Sequence, residues 1–192
     1  MIEAIAGLCG FGPAGGSSDH LLERPPNDDP SLLADALRPS WLPKVSKGFF
    51  FRADTFADVA GYIDKEGSAE VHGGRRLREQ SHGEAFFTVF ANRFGTQDRA
   101  MYLMDEPENA LSPNRQLAFL RLLREWECSG NAQIIIATHS PILMSYPGAT
   151  IYSFDGQSIE PVDYEDTEHY RVTRGFLMNP NRYLAELFDD TE

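Results

Sequence analysis

Basic residues, cysteines and long apolar runs are all scarce in this chain of 192 residues. The 17 Lys and Arg stand against 29 Asp and Glu, a formal net charge of −12. A chain this acidic does not coat nucleic acid or an anionic membrane through bulk charge. The only cysteines are Cys9 and Cys128, and no CxxC pair occurs, which excludes a disulfide framework and a cysteine-rich zinc site. No apolar run approaches the ~20 residues that span a bilayer, and Met1-Ile2-Glu3 lacks the basic start of a secretory signal. What is present is a globular complement of apolar side chains, enough to bury about two thirds of the unfolded surface around one core. The expectation is a single reduced, cytoplasmic α/β domain.

Period and punctuation divide the chain. Ile2, Ile5, Ala6 and Leu8 read as the end of a short helix that stops at a glycine cluster between Gly7 and Gly16. Residues 17–47 are loop-rich, with Pro25, Pro26, Pro30, Pro39 and Pro43, interrupted by one amphipathic turn at 32–37. Phe49-Phe50-Phe51 is a buried strand, 55–63 a helix and 67–74 a surface loop. Phe86, Phe87, Val89, Phe90 and Phe94 recur at helical spacing, which predicts a helix over 83–94 with an aromatic face. Two apolar runs, 100–104 and 133–137, bracket a helix at 114–127 with Leu117, Leu120, Leu123 and Trp126 on one face. Strand, helix, strand is a βαβ unit, hence parallel pairing with a right-handed crossover. Both strands are apolar on both faces, as in a covered sheet. Residues 150–154 and 158–162 flank Asp155-Gly156-Gln157, a hairpin signal. Two helices, 167–178 and 182–188, follow, split at Asn179-Pro180. Asp163, Glu165, Asp166 and Glu168 read as favourable negative charge at a helix start rather than as metal ligands with His169.

Ligands of an open parallel sheet bind beyond the carboxyl ends of its strands. The first strand of the βαβ unit ends in Asp105-Glu106-Pro107-Glu108 and the second in Thr138-His139-Ser140-Pro141, so the two polar clusters emerge at the same edge. Adjacent carboxylates after a buried run cost desolvation energy unless a cation or hydrogen-bond donors offset it. That chemistry suits Mg²⁺ on Asp105 through a coordinated water. Glu106 orients and deprotonates the water attacking a phosphoryl group, and His139 contacts the terminal phosphate and that water. Upstream, Ser81 and Glu84 have the spacing of a capping box, and the same helix start, with Gly83, can face an anion.

These segments resemble motifs of ATP-binding-cassette-type ATPases. Residues 100–106 look like the Walker B strand, and Asn109-Ala110-Leu111-Ser112-Pro113 is similar to the D-loop. Gln80-Ser81-His82-Gly83-Glu84 resembles the signature motif, and Ala137-Thr138-His139-Ser140 the switch-histidine loop. The order and spacing fit across residues 80–162. The resemblance is closest to soluble bacterial AAA-family ATPases whose cassette-like head is related to the SMC and RecF group. It implies a P-loop NTPase-like α/β fold with a mostly parallel sheet flanked by helices, and ATP with Mg²⁺ as ligands. It also implies two heads sandwiching ATP. Ser81, Gly83 and Glu84 would face the nucleotide of the other head, while Asp105, Glu106 and His139 act on their own. Ala110, Leu111 and Ser112 would carry contacts across the dimer. Arg52 falls at the Q-loop position, where the family has glutamine.

One departure outweighs these matches. A phosphate-binding loop needs GxxxxGK[ST], with backbone amides and a lysine around the phosphates and a hydroxyl on Mg²⁺. The lysines here, Lys44, Lys47 and Lys65, are followed by Val45, Gly48 and Glu66. Met1 to Gly7 resembles the helix that directly follows that loop, so the sequence reads as a head whose N-terminal Walker A segment is missing. In that layout one ATPase domain covers 1–192: a helix remnant (1–8), an insert (17–79), a motif-bearing core (80–162) and C-terminal helices (163–192). Two other functions compete. A non-catalytic subunit would lend its signature face to a complete homologue, in a homodimer or heterodimer. A DNA-repair-type head would need Arg75, Arg76 and Arg78 to form a patch against the acidic background.

Overall fold

A computed structural model describes residues 1–18, 31–41, 44–45, 47–66, 75–93, 98–154, 156 and 158–188. The expected loop at 67–74, Pro25, Pro26, Pro30, Pro43, Phe94, His20, His72 and turn residues 155 and 157 lie outside these residues. The chain forms two compact units, Met1–Thr138 and His139–Glu192.

The first unit is built on a three-stranded parallel sheet of order β1-β2-β3, with β1 Gly48–Arg52, β2 Ala100–Asp105 and β3 Ala132–Ala137. Helices α1 (Ile2–Cys9), α2 (Ser31–Ala36), α3 (Phe56–Glu66), α4 (His82–Arg93) and α5 (Pro113–Ser129) accompany it. The strand pleat sorts the side chains by a period of two. Phe50, Met101 and Leu103 point to one face, where they pack with Ile2, Ala6, Cys9 and Phe11 of the α1 segment. Phe49, Phe51 and Tyr102 point to the other. There Phe51 meets Phe86 edge-on at 5.0 Å and Phe49 meets Phe90 at 5.4 Å. Tyr102 stacks on Trp126 at 4.3 Å. Helices on both faces of a parallel sheet make an α/β fold consistent with a P-loop NTPase-like architecture.

Several expectations shift in detail. α1 runs through Gly7 to Cys9 and is closed by Gly10 in the left-handed conformation at φ 85°, so the glycine-rich stretch breaks the helix only there. The buried stripe of α5 is Gln116, Phe119, Leu123 and Trp126: Leu123 and Trp126 fall as expected, whereas Leu117 is 54% exposed and Gln116 and Phe119 complete the stripe instead. Gln116 can be buried because its amide donates to the Leu111 carbonyl at 3.1 Å. β2 is buried nearly throughout, but β3 is an edge strand of only intermediate burial, and its isoleucines are not covered on both sides.

The second unit comprises α6 (Pro141–Met144), an antiparallel β4–β5 hairpin (Ile151–Ser153, Glu160–Val162), α7 (Glu168–Met178) and α8 (Pro180–Phe188). Ser140 caps α6 by accepting from the amides of Ile142 and Leu143, and Thr167 caps α7 by accepting from Tyr170. Phe176 of α7 meets Tyr183 of α8 edge-on at 6.0 Å.

Candidate functional site

The parallel register sets the site. Arg52 pairs with Asp105, and Asp105 with Ala137, so the carboxyl ends of all three strands share one edge. The Glu106 amide donates to the Ala137 carbonyl at 2.9 Å, which carries the ladder one residue beyond Asp105. Thr138 Oγ1 then donates to Glu108 Oε2 at 2.7 Å, tying the end of β3 to the turn after β2.

Asp105 is half-buried. Burial pushes its carboxyl above the ordinary range, Arg52 opposes the shift, and Glu3, Glu106 and Asp54 add to it. Arg52 is the counter-charge of this edge. It bridges Glu3 at 2.7 Å, grips both oxygens of Asp54, and donates to the Pro13 carbonyl. Glu106 is the only non-glycine among the described residues with positive φ, at φ 48° and ψ 53°. That conformation costs a side-chain-bearing residue roughly 1–2 kcal/mol, and such strain concentrates at functional sites. Its carboxylate accepts from Asn109 Nδ2 at 2.7 Å, so the side chain and the following turn Pro107–Ala110 hold one another.

Mg²⁺ is held through one or two carboxylates, waters and substrate phosphates rather than an all-protein cage. A half-buried carboxylate in an acidic surround suits that role, because a dication offsets the desolvation that raises Asp105. Among the described residues no group of three or more His, Cys, Asp or Glu is arranged to hold a metal by itself.

At the start of α4 the capping box forms as its spacing predicts. The Ser81 amide and hydroxyl both donate to Glu84 Oε2, at 2.9 and 2.7 Å. Hydrogen bonds from Ser81, first the hydroxyl and then the amide, hold the Glu84 carboxyl below its ordinary value, and Arg115 adds to this. Arg115 donates to Ser81 Oγ at 3.1 Å and lies 3.7 Å from Glu84 Oε1. Gly83 is buried beneath it: a Cβ there would collide with the Arg115 side chain and press on the Ala110 carbonyl. The signature-like turn and the D-loop-like segment Ala110, Leu111 and Ser112 therefore meet through Gly83 and Arg115. Leu111 is buried and Ser112, the N-cap of α5, is exposed. Of the three clustered arginines, Arg75 donates to the Glu79 carbonyl and Arg78 lies where a Gly61 Cβ would be.

His139 opens the second unit. Within that unit its Nδ1 lies 2.9 Å from Nε2 of His169, with ring centroids 5.0 Å apart.

Sequence reasoning did not find Arg115, Gln116 or the Glu3–Arg52–Asp54 network; it placed Asn109 in the D-loop-like run without its bond to Glu106, and it gave His169 no part at His139. Arg115 and Asn109 sit on polar surface positions that no periodicity distinguishes. The one available signal was their place in the D-loop-like run, for Asn109, and just after it, for Arg115.

A parallel α/β sheet with an acidic turn at its carboxyl edge is consistent with a P-loop NTPase-like fold. Residues 75–145, less than half of the chain, match the family described as "AAA domain, putative AbiEii toxin, Type IV TA system". This span contains Ser81, Gly83, Glu84, Asp105, Glu106 and His139. The match supports an AAA/P-loop ATPase-like family and, with it, nucleotide binding in general. No curated protein and no solved structure matches the chain. No helix among the described residues is long and apolar enough to cross a membrane.

Proposed function

We propose that this chain is a cassette-like ATPase head in which Asp105 binds Mg²⁺ through water and Glu106 activates the hydrolytic water on the terminal phosphate of ATP. The observation that carries the reading is the end of β2. A desolvated aspartate sits next to a glutamate held in left-handed backbone by the Ala137 carbonyl and by Asn109. Fixing a general base in a costly conformation is preorganisation for one water position. His139 keeps the role that the resemblance gives it, contact with the terminal phosphate. The head is cytoplasmic in this reading and works in a dimer across bound ATP.

These 192 residues contain no GxxxxGK[ST]. Without that amide cradle and lysine the phosphates lack their main ligands, so the chain by itself turns over ATP at or near background. Robust Mg²⁺-dependent phosphate release by the purified chain, abolished by Glu106→Gln, would overturn this part of the proposal.

A second reading rests on the signature-like turn at the start of α4. Ser81 and Glu84 are exposed yet held in place by Arg115, as a surface offered to a partner's nucleotide would be. In this reading the chain donates its signature-like turn to a complete homologue. Mixing the two measures it: stimulated turnover that disappears with Ser81→Ala supports the subunit, and no stimulation removes it.

A further inference from the structure

Arg115 reaches from α5 to the first turn of α4, and its seat there is built into the packed unit. Gly83 is buried in that turn. A Cβ on Gly83 would collide with Arg115 Nη1, lie 2.8 Å from its Cδ and stand 3.1 Å from the Ala110 carbonyl oxygen. The absent methyl group is therefore space that the arginine fills. Only a third of the Arg115 side chain remains exposed.

The hydrogen-bond capacity of each group then separates Arg115 from Ser81. A serine hydroxyl has one hydrogen to give and two lone pairs to receive. Ser81 Oγ gives its hydrogen to Glu84 Oε2 at 2.7 Å, and it accepts from Arg115 Nη1 at 3.1 Å and from the Glu84 amide at 3.4 Å. The direction of the first bond is fixed, because a carboxyl held below its ordinary pKa is an anion that only accepts. All of the hydroxyl's capacity is used, and a phosphate oxygen needs a hydrogen that Ser81 does not have left. Arg115 is the reverse case. A guanidinium carries five N–H bonds, no acceptor and a permanent charge. One Nη1 hydrogen goes to Ser81, and Nη2 lies 3.7 Å from Glu84 Oε1, an ion pair beyond hydrogen-bond length. Among the described residues no other group accepts from Arg115. Glu84 is the one carboxylate of residues 80–84, and the charges of both Arg115 and Arg75 act on it.

We infer that Arg115, rather than Ser81, is the phosphate-binding residue that this face presents to a nucleotide held by another chain. Its remaining N–H groups meet the phosphate oxygens, while Ser81 fixes the guanidinium through Nη1. A planar fork of charged donors suits a polyphosphate. Glu84 competes for the same donors and so sets how readily a phosphate is taken. The inference rests on the second reading above, in which the signature-like turn is lent to a complete homologue. Ser81 then acts through Arg115: Ser81→Ala silences the face by removing the oxygen that orients the guanidinium.

The probe is inorganic tripolyphosphate, which has the charge and oxygens of a nucleotide's phosphates and can be added to the full chain without a partner. Arginine Nε–H signals are followed by ¹H–¹⁵N spectroscopy at slightly acidic pH and constant ionic strength. The Arg115 signal is the one absent from Arg115→Gln. In the native chain it should shift saturably with tripolyphosphate, and further than that of Arg182, an exposed arginine paired with Glu186 on α8. Glu84→Gln removes the competing charge and should lower the half-saturating concentration about threefold. Gly83→Ala places a methyl group in the guanidinium's seat and keeps every backbone amide, so it should abolish the shift while far-ultraviolet circular dichroism stays native. If that variant unfolds, the Glu84→Gln comparison decides. An Arg115 signal that does not move, that moves only in step with Arg182, or that responds equally in a folded Gly83→Ala overturns the inference. So does a Glu84→Gln chain whose half-saturation is unchanged or weaker. A shift produced by a single-stranded oligonucleotide and not by tripolyphosphate also overturns it, because the face then reads a nucleic-acid backbone.

Mixing with a complete homologue separates this inference from the reading beneath it. Arg115→Gln should lose the stimulated turnover as fully as Ser81→Ala. Stimulation that falls with Ser81→Ala and is unchanged by Arg115→Gln removes the inference and keeps the subunit. A saturable Arg115 shift with no stimulation in any mixture removes the subunit reading and keeps Arg115 as a polyphosphate ligand.

Discussion

The two units differ in how they spend their apolar side chains. In Met1–Thr138, Phe49, Phe50, Phe51, Phe86, Phe90, Phe119 and Trp126 are all within 1% of complete burial. Among the described residues of His139–Glu192 only Leu143 is a buried large apolar side chain, at 4%, while Leu177 is 71% exposed, Met178 79%, Leu187 73% and Phe188 72%. Composition does not separate the two, since both contain helices with strong apolar faces. The difference is topological. A parallel sheet offers two faces for helices to cover, whereas the short hairpin and the helices α6, α7 and α8 enclose no comparable interior among the described residues. The strained Glu106 and the desolvated Asp105 belong to the packed unit, where the surrounding contacts are dense enough to hold both in costly states.

The sharpest way to break this comparison is a core truncation. Phe86 makes ring contacts with Phe51, Phe87, Phe90 and Phe119 at 4.4–5.5 Å and is completely buried. Phe86→Ala should cost about 3–5 kcal/mol, read as a lowered urea midpoint by tryptophan fluorescence, for which Trp126 is a reporter within the same aromatic cluster. A loss under ~1 kcal/mol would mean that the packed unit is not close-packed.

A smaller effect tests whether the packed unit stores strain at its edge. Glu106→Gly relieves the left-handed backbone, and Glu106→Ala removes the same carboxylate without relieving it. The glycine variant should be more stable than the alanine variant by about 1 kcal/mol, measured by equilibrium denaturation, and neither should support turnover in a competent assembly. Equal stabilities would remove the argument that this position is held against its preference.

Asp105 gives a pH signature of the same edge. Its carboxyl is raised on folding, so the folded state holds the proton more tightly than the unfolded state. Stability contributed by the protonated form is therefore lost as the pH rises from the ordinary aspartate range through the elevated folded value. Asp105→Asn should flatten that part of the stability profile and raise the denaturation midpoint at neutral pH. In an assembly with a complete homologue, added Mg²⁺ together with a nucleotide should stabilise the native chain more than the Asn variant. A profile unchanged by the substitution would mean that the site is not desolvated.

Much of this architecture is legible from local pattern. The three strands, the aromatic helix, the hairpin and the split C-terminal helices follow from short periods and from glycine or proline punctuation, signals that lie within a few residues of one another. The α5 face is read correctly at Leu123 and Trp126 but one residue out of step in its first half, because leucine outranks glutamine in any apolar count. Gln116 is buried through a hydrogen bond to Leu111, which no count registers. At the site, Asp105, Glu106, Ser81 and Glu84 stand out because their partners are adjacent or three apart. Arg115 reaches back 34 residues to Ser81, and a polar-face arginine looks the same in sequence whether it is solvated or bridging two motifs. The left-handed backbone at Glu106 is equally silent, since glutamate has no preference for it.

The smallest expected change is the most informative about the second unit. Leu187, on α8, keeps nearly three quarters of its side chain in water, so Leu187→Ala removes little burial. Stability in dilute solution should move by no more than ~0.5 kcal/mol, against the several expected for Phe86→Ala. The contrast holds only if these apolar residues are solvated when the protein is alone. Measuring the denaturation midpoint of the native and Leu187→Ala chains over a hundredfold range of protein concentration decides it. Coincident, concentration-independent curves mean that exposure is a true property of the unit. A midpoint that rises with concentration in the native chain and stays flat in the variant would show that another copy covers this face, and the difference between the two units would then describe the isolated chain rather than the working one.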